Sequence, residues 1–234
     1  MSEARILICI PVRDRMSIAE QCIPTVAKSI DPVDNLIICD DGSKEPLPSE
    51  VRLAADVIIS GPTIGVENHR RRHFQMMVES PQYTHLYLTD ADAIHDPQWR
   101  SKLLALQARL GDVPVCGYNT LAHENLIGNT LVENQDHLIR VFAPGVSYLL
   151  TRKHCDAVSK YLKTDPRDHW NWDWTVPAIL GRRFAISRPS YVDHIGFGGM
   201  HHPKKEGYDA GDRAVDPTPW LVEKRKEIVN TLIG

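Results

Sequence analysis

Four short apolar runs in the first 90 residues constrain the fold of this chain most. They comprise residues 5–10, 35–39, 55–60 and 84–89. Each run has the length and the β-prone composition of a buried strand. Between them we expect a helix from Ser17, its cap, towards Ile30 with a kink at Pro24, and another over 66–79. Strands that alternate with helices predict an α/β fold with a mostly parallel central sheet flanked by helices and connected by right-handed crossovers.

Polar side chains follow three of these runs. They are Arg13 after the first, Asp40 and Asp41 after the second, and Asp90 and Asp92 after the fourth. Ligands of open α/β sheets bind outside the carboxyl ends of the strands, where these side chains would meet. The two carboxylates of the Asp90–Asp92 pair suit Mg²⁺ or Mn²⁺, which bind oxygen ligands together with substrate phosphates. The alternative is that one aspartate caps a helix and the other is solvated.

Composition excludes several classes of protein. The 234 residues suit one domain, and a net charge of −3 gives no general attraction for nucleic acid. The five cysteines form no C-x-x-C pair, which argues against zinc knuckles and dithiol redox chemistry and favours buried free thiols. Because the sequence has neither a cationic leader nor an apolar run of membrane-spanning length, we expect a cytoplasmic protein without stable membrane insertion.

The second half of the chain is less regular. Strand-like pieces occur at 113–117, 137–142, 147–150, 183–186 and 191–194, and helix-like stretches at 97–110, 152–162 and 220–233. Three tryptophans surround Asp173 at the start of a further helix that reaches Leu180. The segment 196–219 is rich in Gly, Pro, His and Lys, which predicts a loop.

Four motifs, in this order and spacing, resemble the GT-A fold nucleotide-sugar glycosyltransferases, most closely those of family 2. They are Ile10-Pro-Val-Arg13, Cys39-Asp-Asp-Gly-Ser43, Gly65 followed by Arg70, and Leu88-Thr-Asp-Ala-Asp92 with its DXD pattern. The later match is looser. Pro144-Gly145 stands at the position of the glycine loop, Asp173 at that of the catalytic carboxylate, and His194 at that of the late metal-binding histidine. The chain departs from the pattern at His69, where a small residue is usual, and at Trp172, where an acid usually precedes the base.

The resemblance implies a single GT-A domain over residues 1–234. Residues 1–95 would be the nucleotide-sugar-binding half, and residues 96–219 the acceptor-binding and catalytic half with a mobile loop at 196–219. Residues 220–234 would form a C-terminal helix. The implied activity is that of a hexosyl- or pentosyltransferase that uses Mn²⁺ or Mg²⁺. It would move a sugar from a nucleoside-diphosphate sugar to a hydroxyl acceptor, with inversion at the anomeric carbon. The donor nucleotide would be UDP in preference to GDP.

The resemblance also implies where the donor binds. The donor-binding residues would be Pro11, Val12, Arg13, Asp40, Asp41, Gly65, Arg70, Asp90, Ala91 and Asp92. Asp40 or Asp41 would accept a hydrogen bond from the uracil N3–H, although Asp41 also suits an Asx turn with Gly42 and Ser43. Arg70 would reach the diphosphate or tether the acidic loop.

Histidines would complete the metal site. With Asp90 and Asp92, His194 is the expected third ligand, since imidazole suits Mn²⁺, and His201 and His202 are the substitutes. His201, His202 and Lys204 would also belong to a lid that closes over the phosphates of the donor and excludes water. The alternatives are a structural histidine at position 194 and an ordinary surface loop.

Asp173 would be the general base that takes the proton of the acceptor hydroxyl. The neighbouring tryptophans would desolvate the carboxylate and raise its pKa, and Trp170, Trp172 and Gly145 would contact the acceptor. The alternative is that the tryptophans are core residues and Asp173 is an acid favoured by the helix dipole. A retaining mechanism stays open.

Two other functions stay open. A nucleotidyltransferase has the same topology but usually needs a glycine-rich loop after the first strand, and Pro11-Val-Arg-Asp-Arg15 has no glycine. A sugar-nucleotide-binding protein without catalysis is the other. The acceptor would be a saccharide in preference to a lipid-linked sugar, a protein or a modified DNA base, although the basic clusters 70–72 and 224–226 keep a nucleic-acid acceptor open.

Overall fold

A computed structural model describes residues 3–126, 128–164, 170–196 and 213–233. The N-terminal elements are β1 (Ile6–Val12), α1 (Met16–Ala27), β2 (Asn35–Asp40), α2 (Ser49–Ala54), β3 (Val57–Ser60), α3 (Val66–Glu79), β4 (His85–Thr89) and β5 (Ala93–His95). The later elements are α4 (Trp99–Leu110), β6 (Val115–Cys116), α5 (Leu121–Glu124), β7 (Thr130–Glu133), β8 (His137–Arg140), β9 (Ser147–Thr151), α6 (Arg152–Thr164), α7 (Trp172–Ile179), β10 (Phe184–Ser187), β11 (Val192–His194) and α8 (Pro219–Ile233).

The central sheet is mixed but mostly parallel, as the sequence predicted. Among the described residues it has nine strands in the order β3-β2-β1-β4-β9-β6-β10-β8-β7. The four strands β1 to β4 are parallel to one another, and β8 and β9 run antiparallel to their neighbours. A separate two-stranded sheet pairs β5 with β11 in the antiparallel sense. The carboxyl ends of β1, β2 and β4 therefore lie at one edge.

Both faces of the central sheet are buried at β1, β2 and β4, whereas the edge strands β3 and β7 are exposed. In β1, Ile6, Ile8 and Ile10 pack into one apolar core with residues of α1 and α4, whereas Leu7 and Cys9 pack into another with residues of α3 and α6. Successive side chains of a strand point to opposite faces, so a strand covered on both sides reads as one continuous apolar run. This burial is why β1, β2 and β4 are recognisable in the sequence. The burial expected for the third run is wrong, because β3 is an edge strand whose residues are all exposed.

Several details differ from the prediction. Helix α1 begins at Met16 after Arg15, which adopts φ 55° and makes no side-chain cap, so the predicted cap at Ser17 is wrong. The helix ends at Ala27, short of the predicted Ile30, with Pro24 inside it. Four short elements were not predicted: α2, β5, α5 and β7. They span three to six residues each, too few to show a period.

Helix α8 packs against the body of the protein. Leu221 and Ile228 are fully buried beside Ile18 and Cys22 of α1. Nowhere in the described ranges does a helix combine the length and apolarity required to cross a bilayer. Of the loop predicted at 196–219, residues 197–212 lie outside the described residues, as do His201, His202 and Lys204.

Candidate active site

A cavity of about 670 Å³ opens at the edge where β1, β2 and β4 end. Twelve residues predicted for the site line it: Pro11, Val12, Arg13, Asp41, Gly65, Asp90, Ala91, Asp92, Gly145, Trp172, Asp173 and His194. Three other predicted residues, Asp40, Arg70 and Trp170, are absent from its lining. The cavity therefore joins residues from both halves of the chain.

The exit of β1 brings in a residue that the sequence analysis missed. Asp14 and Arg15 both adopt φ 55°, an uncommon conformation for residues other than glycine. The backbone N–H of Asp14 donates to the Ser43 hydroxyl at 3.0 Å, which fixes this turn against the end of β2. Arg15 consequently lines the cavity and its Nη1 donates to Asp92 Oδ2 at 2.8 Å. The sequence analysis missed Arg15 because its position depends on two consecutive non-glycine residues with positive φ, which no pattern in the sequence predicts.

The two aspartates after β2 have different surroundings. Asp41 is buried, and its carboxylate accepts from the backbone N–H groups of Ile64 at 2.6 Å and Gly65 at 3.1 Å, and contacts His69 Nε2 at 3.0 Å. Asp40 instead accepts from the backbone N–H of Ser43 at 3.0 Å. The hydrogen bond to Ser43 is thus made by Asp40, which does not line the cavity, so a donor contact of Asp40 stays a prediction. Asp41 holds the start of α3 at the wall of the cavity.

The acidic pair is positioned by two arginines. Arg70 Nη2 donates to Asp90 Oδ1 at 2.6 Å, and Arg15 pairs with Asp92. Burial raises the pKa of Asp90 above its ordinary value although Arg70 opposes the shift. Burial also acts to raise the pKa of Asp92, but His194 and Arg15 outweigh it and hold that pKa below its ordinary range. The lowered pKa keeps Asp92 ionised at neutral pH.

His194 reaches the acidic pair through the small sheet. In the β5–β11 pairing it lies opposite Ala93, and the next backbone N–H, of Ile195, donates to the Asp92 carbonyl at 3.0 Å. His194 Nε2 lies 3.0 Å from Asp92 Oδ1. One ligand atom from each of Asp90, Asp92 and His194 lies within 4.8 Å of the others. Two carboxylates and an imidazole at this spacing fit a divalent cation such as Mn²⁺.

Helix α8 supports His194 from behind. Arg225 Nη1 donates to the carbonyl of His194 at 3.0 Å and to the carboxylate of Asp193. The other Asp193 oxygen accepts from the backbone N–H groups of His194 and Ala214. Asp193 and Arg225 therefore fix the backbone that carries the third candidate ligand.

Arg70 tethers the acidic loop and does not face the cavity. Its side chain is fully buried, and Nη2 also donates to the Thr89 carbonyl at 3.0 Å. The guanidinium carbon lies 4.7 Å from the ring centroid of Trp172. Since no part of Arg70 is exposed, the direct donor contact expected for it is wrong, and the tethering alternative describes its position.

Asp173 lies in the first turn of α7, on the other side of the cavity. The turn begins after Asn171, which adopts φ 49°. Burial raises the pKa of Asp173, and Glu67 adds to the shift, although the backbone N–H groups of Asp173 and Trp174 oppose it. A carboxylate with a raised pKa, lining a cavity, has the character of a general base.

Gly145 allows Trp172 and Asp173 to approach the strand edge. A Cβ atom at position 145 would lie 2.7 Å from Trp172 Cζ2 and 3.2 Å from Asp173 Cβ. Trp170, by contrast, is 2% exposed and its Nε1 donates to the Glu67 carbonyl at 3.0 Å. The acceptor contact expected for Trp170 is therefore wrong: it is a core residue, as the alternative interpretation had it.

No protein-family model matches the sequence, and no curated protein matches it. Solved structures do match. The chain superposes on S. aureus TarS 1-349 in complex with UDP-GlcNAc with a TM-score of 0.60 and 10% identity, over 84% of this chain and 60% of that one. It superposes on GalNAc-T7 with UDP, GalNAc and Mn²⁺ with a TM-score of 0.61 and 12% identity, over 81% of this chain and 43% of that one.

These superpositions show the fold. The chain spans less than two thirds of the length of each of these two proteins. The GT-A fold expected from the sequence is confirmed. The membership of family 2 stays a prediction.

Proposed function

We propose that this chain is a metal-dependent glycosyltransferase that moves a sugar from a nucleoside-diphosphate sugar to a hydroxyl acceptor with inversion. The observation that carries the proposal is that one cavity joins the Asp90–Asp92 pair and His194 to Asp173, a carboxylate of raised pKa. UDP is favoured because the two crystal structures compared above contain UDP or a UDP-sugar.

The donor would bind along the end of β1. Pro11, Val12 and Arg13 would support the nucleoside, with Asp41 and Gly65 beside the base. Arg15 lines the same cavity and pairs with Asp92, so its positive charge would lie near the diphosphate. Arg70 would act indirectly, by holding Asp90 in place.

Asp90, Asp92 and His194 would hold Mn²⁺ or Mg²⁺. Their chemistry supports this assignment, because two carboxylates leave room for substrate phosphates in the coordination of either cation. When bound, the cation would supply Lewis-acid stabilisation of the charge on the departing nucleoside diphosphate.

Asp173 would take the proton of the acceptor hydroxyl as its oxygen attacks the anomeric carbon from the face opposite the leaving group. The raised pKa of Asp173 supports this role, because a stronger base removes the proton more readily. Trp172 and Gly145 would contact the acceptor. The lid assigned to His201, His202 and Lys204 remains part of the proposal.

The acceptor we favour is a saccharide hydroxyl. The case for nucleic acid relied in part on the cluster at 70–72, and that cluster is not a continuous basic surface. Arg70 is fully buried, and Arg71 donates to the Leu162 carbonyl at 3.0 Å. Only Arg72 of the three is exposed.

A donor panel tests the proposal. The full chain is incubated with UDP- and GDP-sugars and candidate acceptors, with Mn²⁺ or with a chelator, and the released nucleotide is identified. We expect UDP release that needs the cation and is lost in Asp92→Asn and Asp173→Asn. Asp156→Asn, an exposed residue of α6, is the matched control and should retain activity.

The products separate the rival functions. Release of pyrophosphate in place of UDP would identify a nucleotidyltransferase. Tight binding of a UDP-sugar without turnover on any acceptor would identify a binding protein. Full activity of Asp173→Asn would refute the assignment of Asp173 as the base but would not affect the assignment of the donor site.

A further inference from the structure

A second group of metal-ligand side chains lies in the core between β2 and α3. Cys39 is in β2, and His69 and His73 are one turn apart on α3. One ligand atom of each lies within 4.8 Å of the others, and all three residues are buried. Histidines at i and i+4 share one helix face, a spacing that places both rings on the same ion.

The hydrogen bonds of His69 match those of a ligating histidine. Its Nε2 lies 3.0 Å from the Asp41 carboxylate, whereas its buried Nδ1 has no hydrogen-bond partner among the described residues. Histidines that bind metals usually donate their second N–H to a carboxylate, which fixes the ring and leaves the other nitrogen for the ion.

The spacing of Cys39 and His73 also fits a shared ion. Cys39 Sγ lies 3.3 Å from His73 Nε2. In a tetrahedral zinc site, with the usual Zn–S and Zn–N bonds, the sulfur and nitrogen are about 3.6 Å apart. A movement of a few tenths of an ångström would therefore turn this contact into a pair of ligands.

We propose that Cys39, His69 and His73 bind Zn²⁺, with Asp41 as the carboxylate partner of His69. The assignment goes beyond the proposed transferase activity and does not depend on it. Thiolate and imidazole ligands select zinc over Mg²⁺, so this site would differ in its metal from the oxygen-rich Asp90–Asp92 site.

Charge balance supports a dication at this position. A Cys39 thiolate and the Asp41 carboxylate together carry two negative charges, which match Zn²⁺. Of the two arginines whose charges act on Cys39, Arg70 is paired with Asp90 and Arg72 is exposed to solvent. The ion would join β2 to α3 directly behind Asp41 and Gly65, and so would fix the wall of the cavity where the nucleoside is proposed to bind.

Retention of zinc tests the site. The full chain, as wild type and as the double variant Asp90→Asn/Asp92→Asn, is saturated with Zn²⁺ and dialysed against metal-free buffer, and the bound metal is counted by mass spectrometry. We expect about one zinc per chain in both proteins. We expect loss of that zinc in Cys39→Ser and His73→Gln, and its retention in Cys155→Ser, the control for a buried thiol.

Cobalt substitution keeps the test decisive where a variant does not fold. Co²⁺ in the wild-type chain should give the intense visible bands of a tetrahedral site and a thiolate-to-cobalt charge-transfer band. Equal zinc retention in Cys39→Ser and wild type would overturn the proposal. So would a wild-type cobalt spectrum without the thiolate band, or a wild type that retains no zinc. None of these results depends on glycosyl transfer.

Discussion

Gly145 is the position where the smallest change should disturb the active site most. The substitution Gly145→Ala adds one Cβ, which would lie 2.7 Å from Trp172 Cζ2 and 3.1 Å from Cη2. Since carbon atoms in ordinary contact are about 3.5–4.0 Å apart, the ring or the loop must move by about 1 Å. Trp172 has little room, because Arg70 lies 4.7 Å from its centroid and the Tyr148 ring 5.2 Å from it.

The cost follows from this clash. Overpacking a well-packed core by one methyl group destabilises by about 1–3 kcal/mol. In a domain of this size that corresponds to a decrease in Tm of about 2–12 °C. The same displacement moves Asp173, and misplacing a catalytic group by about 1 Å lowers the rate by about 100-fold.

Thermal unfolding and initial rates of UDP release would measure the two effects. Gly61→Ala is the matched control, because a Cβ there has no atom within 4 Å, and it should leave both quantities unchanged. A Gly145→Ala variant with the Tm and the rate of the wild type would refute the argument that Trp172 and Asp173 are held against this glycine.

Two further predictions concern the base and the metal. Asp173→Asn should lower kcat by about 10² to 10⁴-fold, which initial rates would measure. In the wild type, kcat/KM should fall on acidification at a pH above the ordinary aspartate pKa of about 3.9, because the base must be ionised and burial raises its pKa. A pH profile whose acid limb lies at the ordinary aspartate pKa would contradict the second prediction. Arg225→Met should weaken Mn²⁺ binding by about 10- to 100-fold in a titration, because Arg225 holds the backbone of His194. Lys226→Met, on the exposed side of α8, is the control and should leave the affinity unchanged. Equal affinities of the two variants for Mn²⁺ would contradict the supporting role of Arg225.

Three strands of the N-terminal half were predictable because they are buried on both faces. β1, β2 and β4 read as continuous apolar runs, and the polar residues that follow them mark the ligand-binding edge. The 14-residue helix α3 matched its predicted bounds, since it is long enough to show a helical period. These elements position Asp41, Asp90 and Asp92, so much of the site followed from them.

What escaped prediction depends on contacts between distant segments. Strand β5 has three residues, and only its pairing with β11 brings His194 to Asp92. The role of Arg15 depends on a turn held by Ser43. The contributions of Gly145, Asp173 and His194 could be inferred only from the resemblance, because local patterns carry no information about which segments will meet.

Arg70 joins the two halves of the site, and its replacement tests whether they act as a unit. One end of its side chain pairs with Asp90, and its guanidinium faces the Trp172 ring. Arg70→Met should destabilise by about 3 kcal/mol, the lower end for a broken buried pair, because the Asp90 side chain is 31% exposed. Adding Asp90→Asn should recover part of that loss, since the uncompensated charge is removed.

Arg70→Met and Gly145→Ala should also be non-additive. Without the guanidinium, Trp172 gains room to move away from a methyl group at position 145, so the second substitution should cost less in the first variant. Residues that share a partner couple by about 0.5–3 kcal/mol, and denaturant unfolding of the wild type, both single variants and the double variant measures that energy. Strict additivity would mean that Trp172 does not transmit strain between Arg70 and Gly145. The acidic loop and Asp173 would then be positioned independently, which is what the contacts of Trp172 argue against.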